Sequence, residues 1–262
     1  MCQDCGCSIT TEAHAHTHDH DHDHGHHHHH HDHRMEHVHD NPQLNDAKTV
    51  SVITKILDAN DQEAASNRAH FDKHHILGVN LMSSPGSGKT TLLESIAGLG
   101  KFRFGVIEGD LETNRDADRL KAKGVTAHQI TTGTACHLDA FMVHKGIHHM
   151  PLADLDVVFV ENVGNLVCPA SYDVGTHMNV VLLSVPEGDD KVAKYPVMFK
   201  CADLVLITKA DLLPHFDFDV EKVKSEVRKL APKADILQLS TKEPESVAKF
   251  ADYIAFKQQM RS

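Results

Sequence analysis

The densest chemistry in the chain stands at Ser83-Ser84-Pro85-Gly86-Ser87-Gly88-Lys89-Thr90. A glycine-rich loop ending in Lys and Thr can turn its backbone N–H groups inward around phosphate oxygens. Lys89 would neutralise β and γ phosphates, and the Thr90 hydroxyl would ligate Mg²⁺. Gly86, Ser87, Gly88, Lys89, Thr90 and Thr91 are the candidate phosphate contacts. The pattern G-x-x-x-x-G-K-[ST] asks for glycine at position 83, where this chain has Ser83. The Gly88-Lys89-Thr90 triplet therefore needs support from elsewhere.

Support comes from polar clusters that follow other apolar runs. Asp110 follows one in Glu108-Gly109-Asp110, Glu161 follows Val157-Val158-Phe159-Val160, and Thr208-Lys209-Ala210-Asp211 follows a third. Ligands of open parallel sheets bind at the carboxyl ends of strands, where all these clusters would fall. Asp110 and Glu161 are candidates to hold Mg²⁺, directly or through water, and with Lys89 form the candidate catalytic set. Asp211, two residues after Lys209, has a carboxylate that could accept the ring N–H and exocyclic amine of guanine. Ser240 and Thr241, after the last apolar run, would close that base pocket.

A second chemistry is metal ligation. Cys2, Cys5 and Cys7 place three thiols within six residues, suited to one soft or borderline ion such as Ni²⁺ or Zn²⁺. From His14 to His39 runs an imidazole tract interleaved with Asp, offering capacity more than geometric selectivity. Cys136-His137 and Cys168 form a third group. Cys136 is expected to open a helix, whose N-terminus favours thiolate. Two thiols and one imidazole leave a coordination position open, so such an ion would often be shared across a dimer. Cys201 reads as a small packing residue.

The elements that must position these residues alternate. Strands are expected over 76–82, 102–108, 125–130, 157–160, 180–185, 204–208 and 236–239, with helices beginning near Gly88, Thr113, Cys136, Tyr195, Asp219 and Glu245. Continuously apolar strands imply a mostly parallel sheet covered on both faces, an α/β P-loop NTPase architecture. Ahead of it, Leu44, Ala47, Val50, Ile53, Ile56 and Leu57 recur at helical spacing, predicting an amphipathic helix over 44–71 with a break before Asn67. The expected division is a disordered metal-binding tail 1–40, a helical segment 41–72 and a GTPase domain 73–262.

Composition narrows the classes further. Residues 1–40 hold 15 of the 25 histidines and eight acids against one base, a formal charge of −7, and the remainder carries −4. No basic stripe points to nucleic acid. No apolar run reaches the roughly 18 residues of a membrane span, and the N-terminus lacks the basic and apolar regions of a secretory signal. Clustered thiols in such a chain fit a reducing cytoplasm.

Together these residues resemble the HypB family of hydrogenase nickel-incorporation GTPases. The resemblance runs from Cys2-x-x-Cys5-Gly6-Cys7 through the phosphate loop, Thr132-Gly133-Thr134-Ala135-Cys136-His137-Leu138-Asp139 and Glu161-Asn162-Val163-Gly164-Asn165-Leu166-Val167-Cys168-Pro169-Ala170, to Glu187-Gly188-Asp189-Asp190-Lys191. It implies a SIMIBI-class GTPase that forms a nucleotide-linked homodimer and uses GTP, GDP and Mg²⁺. It also implies Ni²⁺ delivery toward the [NiFe]-hydrogenase large subunit with a HypA-like nickel chaperone. It assigns Cys2, Cys5 and Cys7 to a tail nickel site and Cys136, His137 and Cys168 to a Ni²⁺ or Zn²⁺ site on the GTPase domain. One departure is Thr208, where the family's guanine motif is often written with Asn.

Overall fold

A computed structural model of the chain describes residues 47–110 and 115–261. The expectations for Cys2, Cys5, Cys7, the histidine tract, the helix start before residue 47 and the helix start near Thr113 lie outside the described residues. The chain divides into two units, Met1–Lys55 and Ile56–Ser262. Helix α1 spans Ala47–Lys73, and its residues from Ile56 onward belong to the second unit. It is unbroken at Asn67, because the Asn67 side chain turns inward as a buried anchor and leaves the backbone helical.

The second unit alternates strand and helix. In chain order come β1 (Leu77–Ser83), α2 (Lys89–Ala97), β2 (Phe104–Asp110), α3 (Arg115–Ala122), β3 (Thr126–Thr131), α4 (Ala140–Ile147), β4 (Val157–Glu161) and β5 (Met178–Ser184). Short α5 (Lys191–Lys194) and α6 (Pro196–Lys200) follow, then β6 (Leu204–Thr208), α7 (Val220–Leu230), β7 (Asp235–Leu239) and α8 (Pro244–Gln259). All seven strands are parallel, in the order β3-β2-β4-β1-β5-β6-β7.

Both faces of the sheet are covered, which explains the unbroken apolar runs. One face of β1 points Leu77, Val79 and Leu81 into a core shared with Leu92 and Leu93 of α2, Leu120 of α3 and Phe250 and Ile254 of α8. The opposite face divides in two. Val181, Leu183, Val205 and Ile207 pack with Phe199, Val223 and Val227, while Ile107, Val158 and Val160 pack with Phe71 of α1 and Val143 and Ile147 of α4.

Strand β1 lies between β4 and β5, at the centre of the sheet. The chain leaves it toward β2 and β3 on one side, returns through β4, and crosses to β5 on the other. That reversal creates a crevice at the carboxyl ends of β1 and its neighbours, where doubly wound sheets bind ligands. Among the described residues no helix is long and apolar enough to cross a membrane.

Candidate nucleotide and metal site

Six strands, β1, β2, β4, β5, β6 and β7, end at this crevice, and each contributes polar groups. Past β1, the loop bends through Gly86 and Gly88 in left-handed backbone, φ +75° and +96°, which residues with a Cβ adopt only with strain. Gly88 is the N-cap of α2, so the loop meets the positive end of a helix. Lys89 is nearly buried, and its Nζ donates to Ser83 Oγ at 3.0 Å. The residue that departs from the glycine pattern thus holds the phosphate-loop lysine in place.

The loop is fastened from three more directions. Thr208 Oγ1 at the end of β6 donates to the Ser87 carbonyl at 2.9 Å, and Lys209 Nζ donates to the Gly86 carbonyl at 2.8 Å. Ser87 Oγ lies 2.5 Å from Glu187 Oε1, and the same carboxylate accepts from Ser184 N and Oγ in a capping box at the end of β5. Thr208 therefore faces the phosphate loop. This accounts for a hydroxyl at the position where the sequence comparison expects an amide.

A cleft of about 400 Å³ opens beside the loop, lined by Gly86, Gly88, Lys89, Thr90 and Thr91 on one side and Glu108, Asp110, Asp116 and Glu161 on the other. Thr90 Oγ1 is 2.8 Å from Glu161 Oε1 and 3.1 Å from Asp116 Oδ2, two acceptors for a single hydroxyl proton. Burial raises the Glu161 carboxyl above its ordinary range, against the pull of Lys89 and Thr90. Burial, reinforced by the charges of Glu161, Asp116 and Asp110, pushes Glu108 up to about 8. Glu108 Oε2 and Glu161 Oε2 are buried with no hydrogen-bond partner. An all-oxygen set with orphaned buried oxygens and crowded negative charge fits a hard divalent cation such as Mg²⁺. Glu108 and Asp116 escaped the sequence reading of the site. Glu108 sits inside an apolar strand, and Asp116 resembles any acid in the first turn of a helix.

The base side of the crevice lies at β6 and β7. Ser240, fully buried, donates from Oγ to Asp211 Oδ1 at 2.7 Å, and Lys242 Nζ is 2.8 Å from Asp211 Oδ2. Lys242 and Ser240 hold the Asp211 carboxyl below the usual carboxylate range. Lys242 is exposed, which weakens its pair with Asp211, so a ligand with two N–H donors can replace it.

The third group of sequence candidates converges. Ligand atoms of Cys136, His137 and Cys168 all lie within 4.8 Å of one another. Cys136 Sγ is 2.7 Å from Cys168 Sγ and 3.7 Å from His137 Nδ1. His137 stacks on Tyr172 at 4.1 Å between centroids, and burial depresses its imidazole below the ordinary value. Asn165 Nδ2 reaches both Cys168 Sγ and the Cys136 carbonyl at 3.4 Å. One expectation is corrected. Cys136 does not open α4, because Asp139 is its N-cap, accepting from Met142 N. Cys136 lies in the loop three residues before that cap.

The two centres share a segment. Glu161 ends β4, and Cys168 opens a short 3₁₀ turn seven residues later. Between them, Asn162 Oδ1 accepts from Leu138 N at 3.0 Å, beside His137. Gly164 lies against Pro85 of the phosphate loop, so close that a Cβ there would sit 2.9 Å from Pro85 Cα.

A glycine loop, a Lys-Thr pair and an acidic cleft on a parallel sheet define a P-loop nucleotide-binding protein. Residues 77–238 match the family described as CobW/HypB/UreG, nucleotide-binding domain. The chain is 51% identical over 225 residues to the hydrogenase/urease maturation factor HypB of Helicobacter hepaticus, covering 84% of this chain and 93% of that protein. It is 44% identical over 215 residues to the hydrogenase maturation factor HypB of Escherichia coli K12, covering 81% and 74%. Among solved structures it is similar to HypB from Helicobacter pylori in complex with nickel, with 52% identity and a TM-score of 0.76 over 77% of this chain and 96% of that one. HypB from Archaeoglobus fulgidus aligns with 35% identity and a TM-score of 0.72 over 77% of this chain and 100% of that one. The chain belongs to the HypB family.

Proposed function

We propose that this protein is a nickel metallochaperone that hydrolyses GTP to drive Ni²⁺ transfer during [NiFe]-hydrogenase maturation. The observation that carries the reading is the meeting of Cys136, His137 and Cys168 at one end of a segment whose other end, Glu161, lies against Thr90. Ni²⁺ is cargo, held by two thiolates and an imidazole with a position open for exchange. The nickel in the Helicobacter pylori relative and the maturation roles of the named relatives support the choice of ion and pathway.

In the nucleotide cleft, backbone N–H groups of the loop and Lys89 bind the phosphates. Thr90, Asp110 and Glu161, with Glu108 and Asp116 nearby, would hold Mg²⁺, which when bound neutralises charge developing on the transferred phosphoryl group. Asp110 and Glu161 orient the attacking water, while Asp211, Lys209 and Ser240 select guanine. Loss of the γ-phosphate relaxes the loop at Pro85, the contact passes to Gly164, and the geometry at Cys168 changes. Exposed Phe141, four residues after His137, and exposed Val167, one before Cys168, support a homodimer interface there. Cys2, Cys5 and Cys7 form a second nickel site, the histidine tract stores Ni²⁺, and Zn²⁺ competes at the thiol sites. A HypA-like chaperone and the hydrogenase large subunit are the partners, in the cytoplasm.

The test is GTP hydrolysis by the full chain with and without Ni²⁺, alongside Lys89→Ala, which is expected to abolish turnover. Nickel affinity is then read from thiolate-to-metal absorption in a full chain carrying Cys2→Ala, Cys5→Ala and Cys7→Ala. A difference between the GTP-analogue and GDP states is expected. Equal affinities would sink the coupling, because linkage between two binding sites is reciprocal.

A further inference from the structure

A second convergence of metal-ligating side chains lies outside the nucleotide and thiol centres. His70 of α1 and His144 and His148 of α4 and its C-cap bring their ligand nitrogens within 4.8 Å of one another. His144 and His148 are four residues apart and share a helix face, and their Nε2 atoms are 2.9 Å apart. The three rings meet edge to face, His70 at 5.4 and 5.7 Å from the other two centroids. We propose that His70, His144 and His148 form a further binding site for a borderline divalent transition ion of the Ni²⁺ and Zn²⁺ class.

Two features separate this site from a chance gathering of imidazoles. The first is tautomer control. His144 Nδ1 faces Asn67 Oδ1 at 2.9 Å and Glu63 Oε1 at 2.8 Å, two acceptors, so its proton is fixed on Nδ1. That leaves the Nε2 lone pair directed at His148. A carboxylate holding the remote nitrogen of an imidazole is the arrangement that orients histidine ligands and raises their basicity in metal sites. Glu63, Asn67 and His70 recur at four- and three-residue spacing on α1, so one helix face supplies both the support and a ligand.

The second feature is access. A cavity of about 390 Å³ lined by His70, His74 and His148 gives an entry path. Three imidazoles leave a fourth position for water or for His74, one helical turn after His70. Helix α4 starts three residues after His137 and ends beside this cluster. It therefore links the site to the thiol centre over roughly 12–17 Å of helix.

The test is residue-resolved histidine modification by diethyl pyrocarbonate, read by mass spectrometry on the full chain with and without Zn²⁺ alone. Each histidine reports separately, so those of residues 1–40 do not mask the signal. Joint protection of His70, His144 and His148 is expected. In His144→Ala, protection at His70 and His148 is lost at least tenfold while His137 stays protected, which also shows that the variant is folded. Zn²⁺ that protects His137 but leaves His70 and His148 reactive overturns the site. So does protection of His70 and His148 that persists in His144→Ala. If His144→Ala fails to fold, Glu63→Gln serves. It should weaken protection of all three, and unchanged protection there overturns the assignment.

Discussion

At the scale of single residues, Ser83 shows how a departure from a motif can be read physically. A glycine at this position would leave the Lys89 ammonium without its present partner. With nucleotide bound, phosphate oxygens take over the lysine, so the Ser83 bond stabilises mainly the empty state. Ser83→Ala is therefore expected to lower the stability of the empty protein by about 1 kcal/mol and to tighten GDP binding roughly fivefold. Thermal unfolding with and without GDP, paired with a binding titration, checks both signs, and weaker GDP binding would contradict the argument. Glu187 makes the opposite prediction. Its carboxylate joins Ser87 of the loop to Ser184 of β5, and no phosphate replaces it. Glu187→Ala should weaken GDP binding about tenfold by releasing the loop, measured in the same titration.

At the scale of elements, α1 and α4 are joined through one residue. Ala140 is the first residue of α4, and its N–H is one of the donors that a helix start leaves unpaired. Asn60 Oδ1 accepts that N–H at 3.0 Å, while Asn67 Nδ2 donates to the Ala140 carbonyl at 2.8 Å. Asn67 also donates to the Val174 carbonyl at 3.2 Å. Asn67→Leu conserves size but removes the side-chain donor that the Ala140 and Val174 carbonyls share, so it should cost about 2–3 kcal/mol. Denaturant unfolding measures this, and a loss below about 0.5 kcal/mol would show the anchor to be dispensable. This anchor also marks where sequence reading ended. Strands and most helices were legible because apolar runs and turn residues are local signals. The convergence of Cys136 with Cys168 was legible because both follow strand ends. Asn60, Asn67, Asp116 and the His70 cluster were not, since each looks like an ordinary polar helix position. Only the packing of α1 on α4, or of α3 beside α2, gives them partners. The start of α4 was misplaced because the Cys-His pair resembled a helix opening, while the true cap, Asp139, lay three residues on.

At the scale of the whole second unit, His177 ties distant parts of the chain and sets an acid limit on stability. Its Nδ1 accepts from Gly78 N of β1 at 2.9 Å, so the neutral ring carries its proton on Nε2, 3.2 Å from Asp72 Oδ1 at the end of α1. Asp72 in turn receives Arg261, beyond the end of α8, at 2.6 Å. Burial, with the charge of Arg261 and against the pull of Asp72, lowers the His177 imidazole from 6.5 to about 4. Between pH 6.5 and 4 the unfolded chain binds this proton and the native chain does not. Stability is thus complete above pH 6.5 and falls as pH drops through that window, by on the order of 2–3 kcal/mol from this group. Protonation would also oblige Nδ1 to become a donor facing the Gly78 N–H, so β1 and the turn before β5 must separate as the ring charges. His177→Gln keeps an acceptor for Gly78 but cannot titrate. The difference in unfolding free energy between wild type and His177→Gln should shrink as pH falls from 7 to 4.5, with every other titrating group cancelling between two chains that differ at one position. A difference independent of pH would show that His177 binds its proton equally in the native and the unfolded chain, and that the link from α1 through β1 to the C-terminal helix does not depend on a neutral ring.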